Sequence, residues 1–290
     1  MASITALVIL GLLWGGVYLL MAEGLNLIYG VMKVVNLAHG DLIVFGGLLA
    51  YTLFAHAGLT PITALLPVAL ALFVLGAVIQ WGVLERIPLG GAAGELRTLL
   101  ATFGLSYVVS NTSFLLWGGQ FQSIPFLQGA LRLGPLAIPE GLLACSLAAF
   151  VAALLVHFWL HRTMAGKALR ATAESPLGAA SCGLEIGRIR IIAFALGAAM
   201  AGAAGALVIA LVPFQIASGG DLTVQSFTLI ALGGLGNYLG AWIAAEILGL
   251  TEVMSQYYLG PDIASAVIYL LFIAVLLFRP QGLLGSVGRI

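Results

Sequence analysis

Val34-Val35-Asn36-Leu37-Ala38-His39-Gly40-Asp41 is a polar interruption set between two apolar runs, and its reading decides the fold. A second interruption, Ala231-Leu232-Gly233-Gly234-Leu235-Gly236-Asn237-Tyr238-Leu239-Gly240, lies near the corresponding place in the other half of the chain. Irregular backbone at membrane depth survives only where protein or a water-filled cavity satisfies its amides and carbonyls. Paired, glycine-broken hydrophobic segments in two halves point to a pathway through a bundle with an internal inverted repeat. On this reading Asn36, His39, Gly40 and Asp41, with Gly233, Gly234 and Gly236, lie at or beside a route for solute. The competing reading makes both segments ordinary loops between spans, with His39 and Asp41 holding helix ends together.

Composition sets the frame for those breaks. The chain has 290 residues, 62% of them hydrophobic and only 8% charged, with a mean hydropathy of +1.15. Soluble domains carry about 25% charged residues, so a soluble enzyme and a disordered chain are both excluded. A net charge of zero with no basic patch excludes a nucleic-acid binder. Thirty-eight glycines fit a multi-helix bundle better than a simple anchor, because small residues let membrane helices approach closely. Cys145 and Cys182 stand apart, without the spacing of a zinc site or a disulfide scaffold.

A spanning helix takes about 20 mostly apolar residues. Charge-free stretches run over residues 1–22, 42–84, 98–131, 141–160, 191–220, 222–245 and 263–278. The second is long enough for two spans with a turn at Ala57-Gly58-Leu59-Thr60-Pro61, and the third holds one span followed by a Gly/Gln/Pro-rich loop. The expectation is an all-α polytopic membrane protein of eight to nine spans, including broken helices, as one transmembrane domain over 1–290. The N-terminus lacks the basic region of a secretory signal and reads as a retained span. Nine of the eleven basic residues fall on one side if the spans alternate, leaving Arg132 outside and Lys33 unassigned. The positive-inside rule makes that side cytoplasmic, with the N-terminus out and the C-terminus in.

Few residues carry chemistry. Neither lysine sits in a phosphate-binding loop: Lys33 follows Met32, and Lys167 precedes Ala168. ATP-driven transport therefore needs the ATPase on another polypeptide. Within the basic loop over about 162–190, Glu174, Ser175, Pro176, Leu177, Ala180 and Gly183 punctuate a short isolated helix. Ser175 suits its N-cap, Pro176 its first turn and Gly183 its stop. Such a helix spans about two turns, roughly 10 Å, and needs a packing partner; Leu177, Ala180 and Leu184 form its apolar knob, as an ABC permease presents to its ATPase. His157 and His161, four apart, lack the glutamate of a metalloprotease motif and read as an interfacial pair. Asp41, Glu246, Glu252 and Asp262 are costly in lipid and must face protein, water or a partner. No Ser/His/Asp order or carboxylate dyad suggests an intramembrane enzyme. The rows Gly197-Ala201-Gly205 and Ala198-Gly202, and the pairs Gly11/Gly15 and Gly236/Gly240, read as helix crossings.

Several motifs occur in one order and spacing: Val35-Asn36-Leu37-Ala38-His39-Gly40-Asp41, Thr102-Phe103-Gly104-Leu105-Ser106, Arg162-Thr163-Met164-Ala165-Gly166-Lys167-Ala168-Leu169-Arg170-Ala171, Leu232-Gly233-Gly234-Leu235-Gly236 and Arg279-Pro280-Gln281-Gly282-Leu283-Leu284-Gly285. Through them the chain resembles, over nearly its whole length, the LivH-type permease subunits of branched-chain amino-acid ABC importers. The usual Arg-Pro pair after Glu85-Arg86 is replaced here by Ile87-Pro88. The resemblance implies a bacterial or archaeal cytoplasmic-membrane permease that carries hydrophobic amino acids by alternating access. It also implies a second, LivM-like permease, two ATPase subunits and an extracytoplasmic substrate-binding protein as partners. This chain then binds no cofactor, ATP and Mg belonging to the ATPase subunits. A proton-coupled secondary transporter using Glu246 or Asp41, and a small-solute (urea or amide) channel, are the rival classes.

The orientation is directly testable. In a Cys-free variant carrying Ser175→Cys, a membrane-impermeant maleimide is expected to label only from the cytoplasmic face. Labelling from outside overturns the topology.

Overall fold

The structure is a computed structural model that describes residues 4–88, 91–133, 136–279 and 281–285. Its helices are α1 (Ile4–Met32), α2 (His39–Ala57), α3 (Pro61–Gly82), α4 (Gly91–Trp117), α5 (Glu140–Arg162), α6 (Met164–Glu174), α7 (Pro176–Ser181), α8 (Ile186–Val208), α9 (Ser218–Gly233), α10 (Tyr238–Leu259) and α11 (Pro261–Phe278). A two-stranded antiparallel hairpin, β1 (Ala130–Leu133) and β2 (Leu136–Pro139), precedes α5. The sequence reading had made that region a loop. Short strands carry no amphipathic signal long enough to separate them from Gly/Pro-rich coil.

Among the described residues, six helices are long and apolar enough to cross a membrane, or seven if α9 and α10 count as one broken span. The chain is therefore a polytopic helical membrane protein. Eight to nine spans were expected, and the difference lies in α9 and α11. The two members of the α9–α10 pair bend by 119° about residues 234–237, and α11 is a shorter apolar helix.

The core follows from small residues. On α8, Gly197 lies against Gly24 and Ile28 of α1, Gly202 against Leu72 of α3, and Gly205 against the Ile43 carbonyl of α2. Three successive turns of one helix thus admit three neighbours at backbone distance, which is how helices associate where lipid removes the hydrophobic drive. Gly11 and Gly15 receive α10 at Leu250 and Glu246, while Gly249 of α10 returns the contact. The expected Gly236/Gly240 crossing is replaced: Gly236 is in the turn with φ of 85°, and Gly240 meets Gly233. Large apolar side chains such as Leu66, Leu115 and Leu270 point outward, as lipid-facing positions do.

The helices pack reciprocally: α3 lies along α8 as α10 lies along α1, and α4 packs on α2 as α11 packs on α9. One end of the bundle gathers Glu85 with Arg190 (3.7 Å), the α9–α10 turn, and the tail, where Leu283 N donates to the Leu232 carbonyl at 2.7 Å. The other end holds Trp117, whose indole donates to Thr52 (2.7 Å), and the bridge between Gln122 and Phe214.

Gly46→Leu tests the packing, since a Cβ there already runs into Gly202 backbone. Overpacking of this kind costs about 1–3 kcal/mol or more. A lowered unfolding midpoint in detergent is expected, whereas Gly104→Leu, at a position with open space, leaves it unchanged.

Candidate functional site

The first break begins where α1 ends. Lys33 takes φ of 55°, its amide donates to the Tyr29 carbonyl, and residues 33–38 run without helix until α2 starts at His39. Asn36 and His39 are fully buried and Asp41 nearly so. The buried backbone is satisfied by side chains from distant elements. Leu37 N donates to Thr102 Oγ1 at 3.3 Å, and that hydroxyl lies 3.2 Å from the Val35 carbonyl. Gly40 N donates to Thr223 Oγ1 at 3.0 Å, whose proton lies between the Gly219 (2.8 Å) and Leu37 (3.3 Å) carbonyls. Asn36 Oδ1 accepts from Ala38 N at 3.1 Å.

The side chains of the motif act in the same way. His39 Nε2 donates to the Met21 carbonyl in mid α1 (3.1 Å); a carbonyl can only accept, so the ring proton is on Nε2. Asp41 accepts from Ser106 of α4 and sits against Gly219 of α9. A Cβ on Gly40 would strike the Gly219 carbonyl. Asn36, His39, Gly40 and Asp41 therefore stand together at the point where the starts of α2 and α9 meet, between α1, α4 and α8.

Gly233, Gly234 and Gly236 are elsewhere. They form the α9–α10 turn at the basic end, where Gly234 and Gly236 need φ of 103° and 85°. Gly234 backs onto Gly285 and Gln281 of the tail, and Gly236 faces Gly30. Asn26 of α1 fixes this turn by accepting from Gly236 N at 2.7 Å. What meets the first break is instead the start of α9, through Gly219 and Thr223, just after the irregular link 209–217 between α8 and α9. Sequence reasoning took 191–220 as continuous apolar chain and missed Asp221. The signal was present: Gly40-Asp41-Leu42 is echoed by Gly220-Asp221-Leu222, and each triplet lies in the first turn of the helix after a break.

Asp221 is exposed and lies 3.4 Å from the Tyr269 hydroxyl of α11. With Gln225, Glu252, Ser265 and Ile268 they line an open cleft of about 300 Å³. Glu252 accepts from Tyr18 and from Gln256 at 3.1 Å. Glu246 instead turns a carboxylate oxygen toward Gly15 of α1, and the Asp262 side chain is outside those described.

The basic loop contains two helices where one was expected. Thr163 caps α6, accepting from Gly166 N at 3.0 Å. Ser175 caps α7, accepting from Gly178 N at 3.1 Å, with Pro176 in its first turn. Glu174 closes α6, and Gly183 follows α7 with φ of 82°. Leu177 is 81% exposed and Ala180 is exposed beside it. Leu184 is half-buried against the core, so it belongs to the anchor of the loop and not to its exposed knob. His157 and His161 stack at 4.1 Å between centroids on the surface of α5. Among the described residues no cluster suited to a metal ion occurs.

Comparison with known proteins follows the same outline. A family profile described as branched-chain amino acid transport system, permease component, matches residues 7–276. The high-affinity branched-chain amino acid transport system permease protein BraD of Pseudomonas aeruginosa is 30% identical, over 95% of this chain and 94% of its own. The LivH permease protein of Escherichia coli is 29% identical over 95% and 93%. The LivM permease protein of Escherichia coli is 27% identical over 92% of this chain and 68% of its own. The solved structure of PsaBC from Streptococcus pneumoniae in complex with Fab matches with a TM-score of 0.51 at 14% identity, over 94% of this chain and 91% of that one. That last match is a likeness of fold.

Thr223→Val removes the hydroxyl and keeps the shape. Leaving Gly40 N and the Leu37 carbonyl without it costs about 1–3 kcal/mol. The variant is expected to insert normally and to unfold at a lower temperature in detergent; an unchanged midpoint contradicts the role given to Thr223.

Proposed function

Because the chain belongs to the family of branched-chain amino acid transport permease components, we propose that it is the membrane permease subunit of an ATP-driven, binding-protein-dependent importer of branched-chain or related hydrophobic amino acids. The observation that carries the reading is α7. It is a six-residue helix, capped at its start, closed by a left-handed glycine and offering Leu177 to the aqueous side. So short a helix gains its stability from packing, and an exposed apolar tip in that position calls for a partner. The chain has no phosphate-binding motif of its own. The partner is accordingly an ATPase subunit, present twice, with ATP and Mg bound there. A second, LivM-like permease and an extracytoplasmic binding protein complete the complex in the cytoplasmic membrane.

Within this reading the chain crosses nine times, through α1–α5 and α8–α11, with its start outside and its end inside. The fit is good: Lys33, Arg86, Arg162, Lys167, Arg170, Arg188, Arg190 and Arg279 all belong to the segments at one end, as the positive-inside rule requires; Arg289 is outside the described residues. Four passes, α2–α5, lie between α1 and α8, so the two run in opposite directions, and reciprocal packing of α1–α4 and α8–α11 supports an inverted repeat. The route runs beside the joined starts of α2 and α9. Asn36, His39, Gly40 and Asp41 hold the wall, the cleft at Asp221 supplies open polar surface, and the Gly233–Gly236 turn lies at the inner end. Polar groups at that depth are costly and serve ion or substrate paths by default.

Ala180→Glu in the complete reconstituted complex tests the coupling assignment. We expect normal insertion, loss of co-purifying ATPase, and uptake reduced at least 10-fold. Retained ATPase together with full ATP-driven uptake removes α7 from that role.

A further inference from the structure

A second cavity lies at the basic end, enclosed by α1, α5, α6 and the α9–α10 turn. Its volume is about 220 Å³, below the range of drug-sized sites and suited to a small metabolite. Leu27, Leu160 and Leu169, all buried, make an apolar wall. Arg170 and Glu174 line the same cavity, one turn apart on α6. They are the right distance in sequence for a helical ion pair, yet the ion pairs among the described residues are Arg188–Glu185 and Arg190–Glu85. Both residues are exposed, so their charges stand at the mouth of the cavity. Inside, Asn26 is 99% buried, and its Nδ2 has no hydrogen-bond partner. Its orientation is set, because Oδ1 accepts from Gly236 N, and Nδ2 is the atom left unpaired.

We propose that this cavity binds a free α-amino acid with an apolar side chain, from the cytoplasmic side. Arg170 takes the carboxylate and Glu174 the ammonium, a charge-assisted contact at each end of the zwitterion. The leucine wall receives the side chain, and Asn26 Nδ2 supplies a further donor to the carboxylate. An anionic lipid headgroup fits less well, because Glu174 repels it at the mouth. The ligand touches α1, α6 and the α9–α10 turn together, so occupancy fastens the coupling loop to the bundle. That the same amino acid is also the cargo rests on the function proposed above; the pocket chemistry does not depend on it.

The test uses the full complex in nanodiscs without binding protein, with equilibrium dialysis against radiolabelled leucine. Saturable binding at one site per chain is expected. Unlabelled valine or isoleucine should compete, whereas glycine, isovalerate and isopentylamine, which lack the side chain or one charge, should not. Arg170→Ala and Glu174→Gln are each expected to weaken binding at least 10-fold. Ala173→Phe should abolish it by filling the cavity without changing charge. No saturable binding by the wild type overturns the proposal, as does equal competition by isovalerate or isopentylamine. A phospholipid retained by the wild type and lost in Arg170→Ala, with no leucine bound, overturns it in favour of a lipid site. ATP-driven uptake by the same complex with binding protein separates the two readings. Normal uptake without pocket binding removes this inference alone, and pocket binding without uptake of any hydrophobic amino acid removes the importer reading alone.

Discussion

Residues 33–38 carry backbone amides and carbonyls through the interior of a helical bundle, and each must find a partner in protein. In hydrocarbon an unpaired group costs several kcal/mol. The structure answers with two threonines from opposite parts of the chain, Thr102 on α4 and Thr223 on α9. Because these hydroxyls serve the same short segment, α2, α4 and α9 are tied at one depth. His39 adds α1 through the Met21 carbonyl. The break is thus the point where four helices are fixed to one another, and the positions of Asp41 and Asp221 follow from it.

The close approach that makes those bonds reachable comes from glycine. Gly40 against Gly219, and Gly205 against Ile43 and Gly47, bring helices to backbone contact. A methyl on Gly40 would strike both the Gly219 carbonyl and the Thr223 hydroxyl, so there the small residue and the polar tie act as one device. The same logic recurs at the basic end, where Gly233 meets Gly240 and Asn26 secures the turn. There the structure joins α1 to the segment that carries α10, and α6 lies beside it.

The two carboxylates that begin α2 and α9 are treated differently. Asp41 is covered by α4 through Ser106, whereas Asp221 faces an open cleft with Tyr269 of α11 alongside. Packing thus turns one copy of a repeated Gly-Asp-Leu triplet into a structural tie and leaves the other accessible. Among the carboxylates read as membrane-depth groups, Glu246 packs on α1 at Gly15 and Glu252 is bonded by Tyr18.

Much of this was legible in the chain itself. Low charge and long apolar stretches determine a helical membrane protein, because bilayer solvation acts on composition and length alone. Ser175, Pro176 and Gly183 determine a short helix in the basic loop, since caps are local chemistry. The motif 34–41 marks a break for the same reason. What only the tertiary structure decided is which break meets which. The start of α9 supplies the Thr223 hydroxyl to the first break, and the apolar link around Pro213 that precedes it looks continuous to a charge count. Tertiary packing also placed Leu184 in the anchor, turned Glu246 onto α1, and brought Arg170, Glu174 and Asn26 around one cavity. Those outcomes depend on contacts between residues far apart in sequence, and close packing, not local preference, fixes them.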